Sequence, residues 1–383
     1  MTDATAPAPT TVEVHSGSVL PESLASEAEP ARIGLWRVER DLWSPETHVL
    51  LDSDGAVRGA ALTAGRAHCA YRKVVDVIAA DDAVWGRLVA SVQADARPAS
   101  GSSRAAPVAV HVEEHLAVAP LTPARRDRLE SLAFERAARP LPSVPSTRPG
   151  DPGQTNGWTW WSRERPTRLA HYYGQTTDVT CGAVAALMGL GLHGHEGFDP
   201  ASLEANRATE IAFWRQATNL PAIEPIALAL ELARAGEGLI GSLPRVVLSA
   251  ETPVLLEEYE PGHWEHALRL DLQQESLRQA RAAGIPIERR WIEVAEIAER
   301  VRAGAQALLL IDLTDLIDDP TPHWVLATDI VDETLIISDP WVQAANGETW
   351  LDTYALPLPL ASVERVTRWG APSYRGVIFL GER

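Results

Sequence analysis

Residues 174–187 read GQTTDVTCGAVAAL, in which a single cysteine opens a run of small apolar residues. The run predicts a buried helix that begins near Cys181. If Thr180 precedes the first turn, the unpaired backbone N–H groups and the helix dipole favour the thiolate form of this cysteine. Most free cysteines are small buried hydrophobes, so the helix start alone leaves packing and chemistry equally open.

Gln175 lies six residues before the cysteine, and this spacing favours chemistry. A cysteine hydrolase needs donors aimed at the oxyanion of its substrate, commonly a side-chain amide and the backbone N–H of the nucleophile. The intervening loop is long enough to place the Gln175 amide beside the thiol, and Gly182 leaves space for an approaching carbonyl. We therefore interpret Cys181 as a candidate nucleophile and Gln175 as a candidate oxyanion donor.

The C-terminal region offers a base and a group to orient it. His323 begins the apolar run HWVLATDI, and Asp339 follows the run ETLIIS. A hairpin that turns near residues 331 and 332 would place 323 and 339 symmetrically about position 331, facing each other on neighbouring antiparallel strands. An even separation matters, because a slip of one residue moves a side chain to the other face. We expect Asp339 to orient His323, and His323 to take the proton of Cys181.

Several stretches carry a family resemblance together: YYGQTTDVTCGA, EIAFWRQATN with PIALAL, PHWVLATDI and SDPW. They resemble the C39 peptidase family, in particular its peptidase-C39-like branch. The resemblance covers about residues 165–380 and implies a papain-like fold. It also implies a triad of a cysteine, a histidine and an aspartate before a proline, with a glutamine in the oxyanion hole. The matching positions here are Cys181, His323, Asp339 with Pro340, and Gln175. Leader-peptide cleavage coupled to export is not expected, because the chain has no membrane span and no Walker A sequence.

The region before this domain contains strand and helix patterns of a small α/β unit. THVLLD and RGAALTA flank the turn pair Asp54-Gly55 and predict a hairpin, DDAVWGRLVASVQADA predicts a helix capped by Asp81 or Asp82, and PVAVHV predicts a strand. Residues 33–137 resemble part of a GNAT acetyltransferase. The coenzyme A-binding turn of that family, [QR]-x-x-G-x-[GA], does not occur here, so we expect a degenerate, non-catalytic domain, with active acetyl transfer as the alternative.

These patterns predict four segments. Residues 1–30, rich in Pro, Ser, Thr and Ala, are expected to form a disordered tail, and residues 31–138 the GNAT-like domain. The Pro- and Gly-rich residues 139–157 are expected to be a linker before the C39-like domain, residues 158–383. In that last domain helices precede antiparallel strands, which predicts an α+β fold.

Composition excludes several classes of function. The 383 residues carry a formal charge of −18, which repels phosphate backbones and argues against nucleic acid as a partner. No apolar run approaches the ~20 residues that span a bilayer. Two cysteines cannot form a disulfide framework, which favours a cytoplasmic location. We expect no cofactor and no metal, and we interpret the HGHE sequence at 193–196 as a surface loop rather than a zinc site.

Three functions remain open. The first is a cysteine hydrolase or peptidase that cleaves an amide or peptide bond through a Cys181 thioester; its substrate would be a peptide or an amide-containing small molecule. The second is an acyltransferase or amide-forming enzyme that passes the same thioester to an amine, and the third is a non-catalytic peptide-binding module. The candidate substrate-binding residues are Arg215, Asn219 and Trp324. The sequence does not predict an oligomeric state.

Overall fold

The computed structural model describes residues 11–96, 107–144, 154–218, 220–251, 253–257 and 259–382. The chain divides into two compact units. The first comprises Met1–Ala138 with Gln154–Arg163, and the second comprises Arg139–Gly153 with Glu164–Arg383.

The first unit contains one mixed sheet with helices. In chain order its elements are β1 (Thr11–Ser16), α1 (Glu22–Ala25), α2 (Pro30–Arg37), β2 (Glu46–Leu51), β3 (Val57–Ala64), β4 (Tyr71–Ala79), α3 (Asp82–Asp95), β5 (Ala109–His115), α4 (Pro123–Ser131), β6 (Glu135–Arg136) and β7 (Thr155–Trp161). Among the described residues the strand order is β1-β2-β3-β4-β5-β7-β6. The β4–β5 pair is parallel and the other pairs are antiparallel.

The local signals of the first unit form as predicted. β2 and β3 make the hairpin around Asp54-Gly55, and Asp81 caps α3 by accepting a hydrogen bond from Val84 N at 2.8 Å. The apolar face of α3 packs on the sheet and carries Trp85, which lies in the hydrophobic core of this unit. Helix and sheet therefore share one core.

Two boundaries differ from the prediction. Thr11–Ser16 forms β1 and pairs with β2 along its whole length, so the predicted tail is ordered from residue 11, while residues 1–10 lie outside the described residues. The end of the predicted linker enters β7, which lies between β5 and β6 and places Trp158 in the core of the first unit. The alternating side chains of TVEVHS and the aromatic run TNGWTWW explain both results, since each pattern favours a strand.

The second unit contains a second sheet and a set of helices. In chain order its elements are α5 (Cys181–Gly191), α6 (Leu203–Ala217), α7 (Pro225–Ala235), β8 (Arg245–Leu248), α8 (Trp264–Ala282), β9 (Ile287–Glu288), α9 (Val294–Arg302), β10 (Gln306–Asp312), α10 (Thr314–Ile317), β11 (Pro322–Val331), β12 (Thr334–Ser338), β13 (Leu356–Pro359), α11 (Leu360–Val366) and β14 (Gly376–Leu380). Among the described residues the strand order is β13-β12-β11-β10-β14-β8-β9, antiparallel except for β8–β9.

The α5 helix packs tightly against this sheet because two of its glycines face it. A Cβ atom on Gly182 would lie 3.0 Å from Trp324 Cδ1, and one on Gly189 would lie 3.3 Å from Leu380 Cδ1. The residues from Gly182 to Leu190 are all buried. This close approach brings the start of α5, and with it Cys181, to the β11 strand. The predicted α+β class, with a smaller N-terminal α/β unit, is confirmed.

None of the helices in the described part of the chain is both long and apolar enough to cross a membrane.

Candidate active site

Cys181 is the first residue of α5 and is half-buried. Thr180 occupies the N-cap position, but its side chain makes no capping hydrogen bond. The Thr180 hydroxyl instead donates to the carboxylate of Glu210. The N–H groups of the first turn, which have no partner within a helix, are therefore not covered by this side chain. The helix start thus offers backbone donors next to the thiol.

His323 and Asp339 form the second part of the site. Nε2 of His323 lies 2.6 Å from Oδ1 of Asp339, and both side chains are buried. The same Asp339 oxygen accepts a hydrogen bond from Trp341 N at 2.8 Å, which fixes the carboxylate. The Cys181 side chain lies close enough to the imidazole to influence its pKa through charge and hydrogen bonding. Because Nε2 is bonded to the carboxylate, Nδ1 is the ring nitrogen left for the thiol.

The hairpin that joins these two residues differs in register from the prediction. Its two-residue turn is 332–333, since Val331 pairs with Thr334. Continued without interruption, this register would place His323 and Asp339 on opposite faces. A β-bulge between Ala327 and Asp329 adds one residue, Thr328, and restores the common face. The register beyond the bulge pairs Leu326 with Ser338, so Asp339 is a diagonal neighbour of His323 rather than directly opposite it.

Electrostatics at His323 favour the charged ring. Burial lowers the pKa of His323, but the negative charges of Asp339 and Cys181, together with their hydrogen bonds, outweigh burial and raise it to about 10. The imidazolium is therefore the stable form near neutral pH. The site therefore places a positively charged ring beside the Cys181 sulfur.

Gln175 is buried in the loop before α5. Its backbone N–H donates to Pro340 O at 2.9 Å, which ties the loop to the residue that follows Asp339. Its Nε2 donates to Thr177 O at 2.7 Å. Among the described residues Oε1 has no hydrogen-bond partner. Since an amide nitrogen carries two hydrogens, one N–H of Gln175 remains for another acceptor.

A buried carboxylate that the sequence analysis missed holds this loop. Glu210 of α6 accepts hydrogen bonds from the Tyr173 hydroxyl at 2.9 Å and from the Thr176 N–H and hydroxyl at 2.9 and 2.7 Å. Together with the bond from Thr180, four donors converge on one side chain. These donors lie on both sides of Gln175, so Glu210 fixes the path of the chain from the glutamine to the cysteine.

The sequence does contain a signal for Glu210. It shares the buried face of α6 with Asn206 and Phe213, at the i, i+4, i+7 spacing of one helix stripe. A glutamate on an apolar stripe must be paired or hydrogen-bonded, because burial of a bare charge is costly. The nearby threonines of GQTTDVT are suitable donors.

The predicted substrate-binding residues have different positions. Arg215 is exposed and lines a cavity beside α7 and α8. Trp324 is only 2% exposed, and its Nε1 donates to Ile223 O at 3.0 Å. Its indole packs under Gly182, so it supports the start of α5. Asn219 lies outside the described residues. Substrate contact by any of the three stays a prediction.

A cysteine at a helix start, beside a histidine that an aspartate holds, is the arrangement of side chains that defines cysteine-peptidase-like sites. The profile of the Peptidase_C39 like family matches residues 170–381, more than half of the chain, and the chain belongs to that family. The family resemblance drawn from the sequence is therefore confirmed.

A search of the curated proteins found no relative. Among solved structures, the N-terminal part is similar to a mutant of the SpeG spermidine N-acetyltransferase from Vibrio cholerae, with 8% identity and a TM-score of 0.22. That match covers 31% of this chain and 64% of the acetyltransferase chain.

Proposed function

We propose that the second unit is a cysteine hydrolase that cleaves an amide or peptide bond through a thioester on Cys181. The observation that carries the proposal is the contact series from Cys181 to His323 to Asp339, with the last two joined at 2.6 Å. Family membership supports a peptidase-like role. A binding module would not need a charged imidazole beside a thiol.

Acylation uses the imidazolium as the acid. The Cys181 thiolate attacks the carbonyl carbon, and the negative charge moves to the carbonyl oxygen. The Cys181 backbone N–H and the remaining N–H of Gln175 donate to that oxygen. The C–N bond then breaks as His323 gives its proton to the departing amine, which leaves an acyl group on the sulfur. Asp339 keeps the ring oriented throughout.

Deacylation reverses the role of the histidine. Neutral His323 takes a proton from water as the water oxygen attacks the thioester carbonyl. The C–S bond breaks, the carboxylic acid departs, and the thiolate and imidazolium are restored. An amine in place of water would give a new amide by the same steps. The fate of the acyl group therefore depends on which nucleophile reaches the site.

Labelling with a peptidyl vinyl sulfone tests the nucleophile. The second cysteine of the chain, Cys69, lies in the first unit and is also half-buried, so it provides an internal control. We expect the reagent to modify Cys181 in the natural chain and in the Cys69→Ala variant, and to leave the Cys181→Ala variant unmodified. Labelling that is confined to Cys69 would overturn the proposal.

A second experiment identifies the reaction. A library of peptides is incubated with the protein, and the products are identified by mass spectrometry with and without an added amine. Cleavage to carboxylic acids that the Cys181→Ala and His323→Gln variants do not produce supports hydrolysis. Amide products that dominate at low amine concentration would replace hydrolysis by acyl transfer.

A further inference from the structure

A cavity of about 270 Å³ lies among the end of α6, the α7 helix and the α8 helix. Its lining combines apolar side chains with polar and charged ones, among them three arginines and two glutamates. These are Arg215, Arg234, Arg269, Glu224 and Glu275. The volume is close to the lower end of the ~300–1,000 Å³ range of small-molecule pockets, which suits a small ligand rather than a folded partner.

Arg269 is the unusual member of this set. Its side chain is buried, with the residue only 4% exposed, and its guanidinium stacks on the Tyr259 ring at 3.8 Å. Nη2 donates to the Tyr259 hydroxyl at 2.6 Å, but within the described residues the buried Nε–H has no acceptor. In the described part of the chain no carboxylate lies within ion-pair distance of Arg269. A buried guanidinium without a counter-charge is destabilising unless an anion completes it.

Three of the other charged side chains of the cavity already form hydrogen bonds with groups of the protein. Arg234 donates to Glu231 and Gln279, and Glu275 accepts from Arg278 and Gln279. The Glu224 carboxylate accepts from the N–H groups of Ile226 and Ala227, and burial raises its pKa to about 7.

Arg215 is exposed at the cavity and, within the described residues, forms no ion pair. Of the three arginines that line the cavity, Arg215 and Arg269 therefore have no carboxylate partner within the described residues.

We propose that this cavity binds the carboxylate of a small acidic ligand, with Arg269 as the buried contact and Arg215 as the contact at the rim. A carboxylate suits both residues, because the guanidinium fork donates two N–H groups to two oxygens. It would satisfy the Nε–H of Arg269 and supply the missing negative charge.

Two kinds of molecule can supply this carboxylate. The segment at 222–224 connects the cavity with the candidate active site, because Glu224 lines the cavity while Ile223 contacts Trp324 and the first turn of α5. The carboxylate can belong to the substrate, a reading that rests on the proposed hydrolase. It can also belong to a separate ligand that binds whether or not Cys181 reacts.

Direct binding tests the site without relying on catalysis. The full chain carrying Cys181→Ala is titrated calorimetrically with glutarate and with glutaramide, which has the same shape without charge. We expect glutarate to bind and glutaramide to bind at least about tenfold more weakly, since hydrogen bonds to charged groups contribute the most. Equal binding of the two probes, or no binding of glutarate, would overturn the proposal.

Three variants locate the binding. Arg269→Gln and Arg215→Ala should each weaken glutarate binding at least about tenfold. Arg302→Ala removes an exposed arginine of α9 and should have no effect. Arg215 is exposed, so its substitution leaves the fold intact even if the Arg269 variant does not fold, which circular dichroism will show. Binding that survives Arg215→Ala unchanged contradicts the assignment.

A last experiment separates the two sources. Vinyl sulfone labelling of Cys181 in the natural chain is timed with and without saturating glutarate. Slower labelling of Cys181 in the presence of glutarate indicates that the carboxylate belongs to the substrate. An unchanged labelling rate indicates that it belongs to a separate ligand. If Cys181 is never labelled, the hydrolase proposal fails while glutarate binding to the cavity still stands or falls by itself.

Discussion

Two buried histidines, one in each unit, show how the same residue acquires opposite properties. His111 lies on β5, where burial and the positive charge of Lys73 lower its pKa to about 3, partly offset by Glu113. His323 lies on β11, where Asp339 and Cys181 outweigh burial and raise the pKa to about 10. Within the described residues, the Nδ1 atom of His111 has the neutral Thr159 hydroxyl as its hydrogen-bond partner, at 2.9 Å.

The two histidines are both buried, so their opposite pKa shifts come from the charges of the neighbouring side chains. In the first unit the carboxylate of Glu113 lies 2.8 Å from Lys73, which neutralises it and leaves His111 an uncharged part of the core. In the second unit Asp339 has His323 as its cationic partner. A buried histidine alone does not indicate a reactive site, whereas a buried histidine between a carboxylate and a cysteine does.

The largest expected effect is on the rate of Cys181 labelling, and it distinguishes the imidazole of His323 from that of His111. His323→Gln should lower the rate of Cys181 labelling by at least about 100-fold, because the thiolate loses its base and its counter-charge. His111→Gln is the matched control and should leave the labelling rate unchanged. The measurement is the second-order labelling rate with a vinyl sulfone, and similar losses in both variants would remove the distinction between the two histidines.

The next effect tests the loop that presents the cysteine to His323. Glu210→Gln replaces an acceptor of four hydrogen bonds with an amide that must turn an N–H toward donors. We expect the labelling rate to fall roughly 100-fold through misplacement of the Cys181 loop. Glu231→Gln changes another buried glutamate, on α7, and should have little effect. Equal rates in the two variants would show that Glu210 does not position the cysteine.

The two pKa values also predict opposite pH dependences of stability. Between about 3 and 6.5 the unfolded chain binds the proton that folded His111 does not, so the free energy of unfolding decreases as the pH falls through this range. Between 6.5 and about 10 folded His323 holds a proton that the unfolded chain releases. Its contribution is complete below 6.5 and is lost as the pH rises toward 10.

Each slope is at most about 1.4 kcal/mol per pH unit for one group. We therefore expect His111→Gln to flatten the acid side of the stability profile and His323→Gln to flatten the alkaline side. Urea unfolding across the pH range measures both. If either variant flattens the wrong side, the sign of that pKa shift is incorrect.

The smallest effect concerns the fit of α5 against β11. A methyl group at Gly182 would lie 3.0 Å from Trp324 Cδ1, whereas one at Gly191 of the same helix has no neighbour within 4 Å. Gly182→Ala should destabilise the second unit by about 1–3 kcal/mol through overpacking. Gly191→Ala should be neutral or stabilising by up to about 1 kcal/mol. Thermal unfolding of the pair decides whether this close contact has the expected cost.

Much of this architecture can be predicted from local pattern. The helix that begins at Cys181 and the strands that carry His323 and precede Asp339 all follow from periodicity, and the nearness of the last two residues follows from the hairpin. The bulge at Thr328 could not be predicted, because an extra residue changes neither hydrophobicity nor strand preference. The helical spacing indicates that Glu210 is buried, but it does not identify the partners Tyr173, Thr176 and Thr180, which lie 30 to 37 residues away.

The extra residue at Thr328 interrupts the pairing of β11 with β12, and the same interruption brings Asp339 to the face of the sheet that carries His323. Deleting it would give β11 and β12 an uninterrupted ladder of backbone hydrogen bonds and, on pairing alone, a better hairpin. The same deletion would turn Asp339 to the far face of the sheet and leave the imidazole without its carboxylate. On the proposed mechanism, a one-codon deletion that improves the strand pairing would therefore abolish the activity.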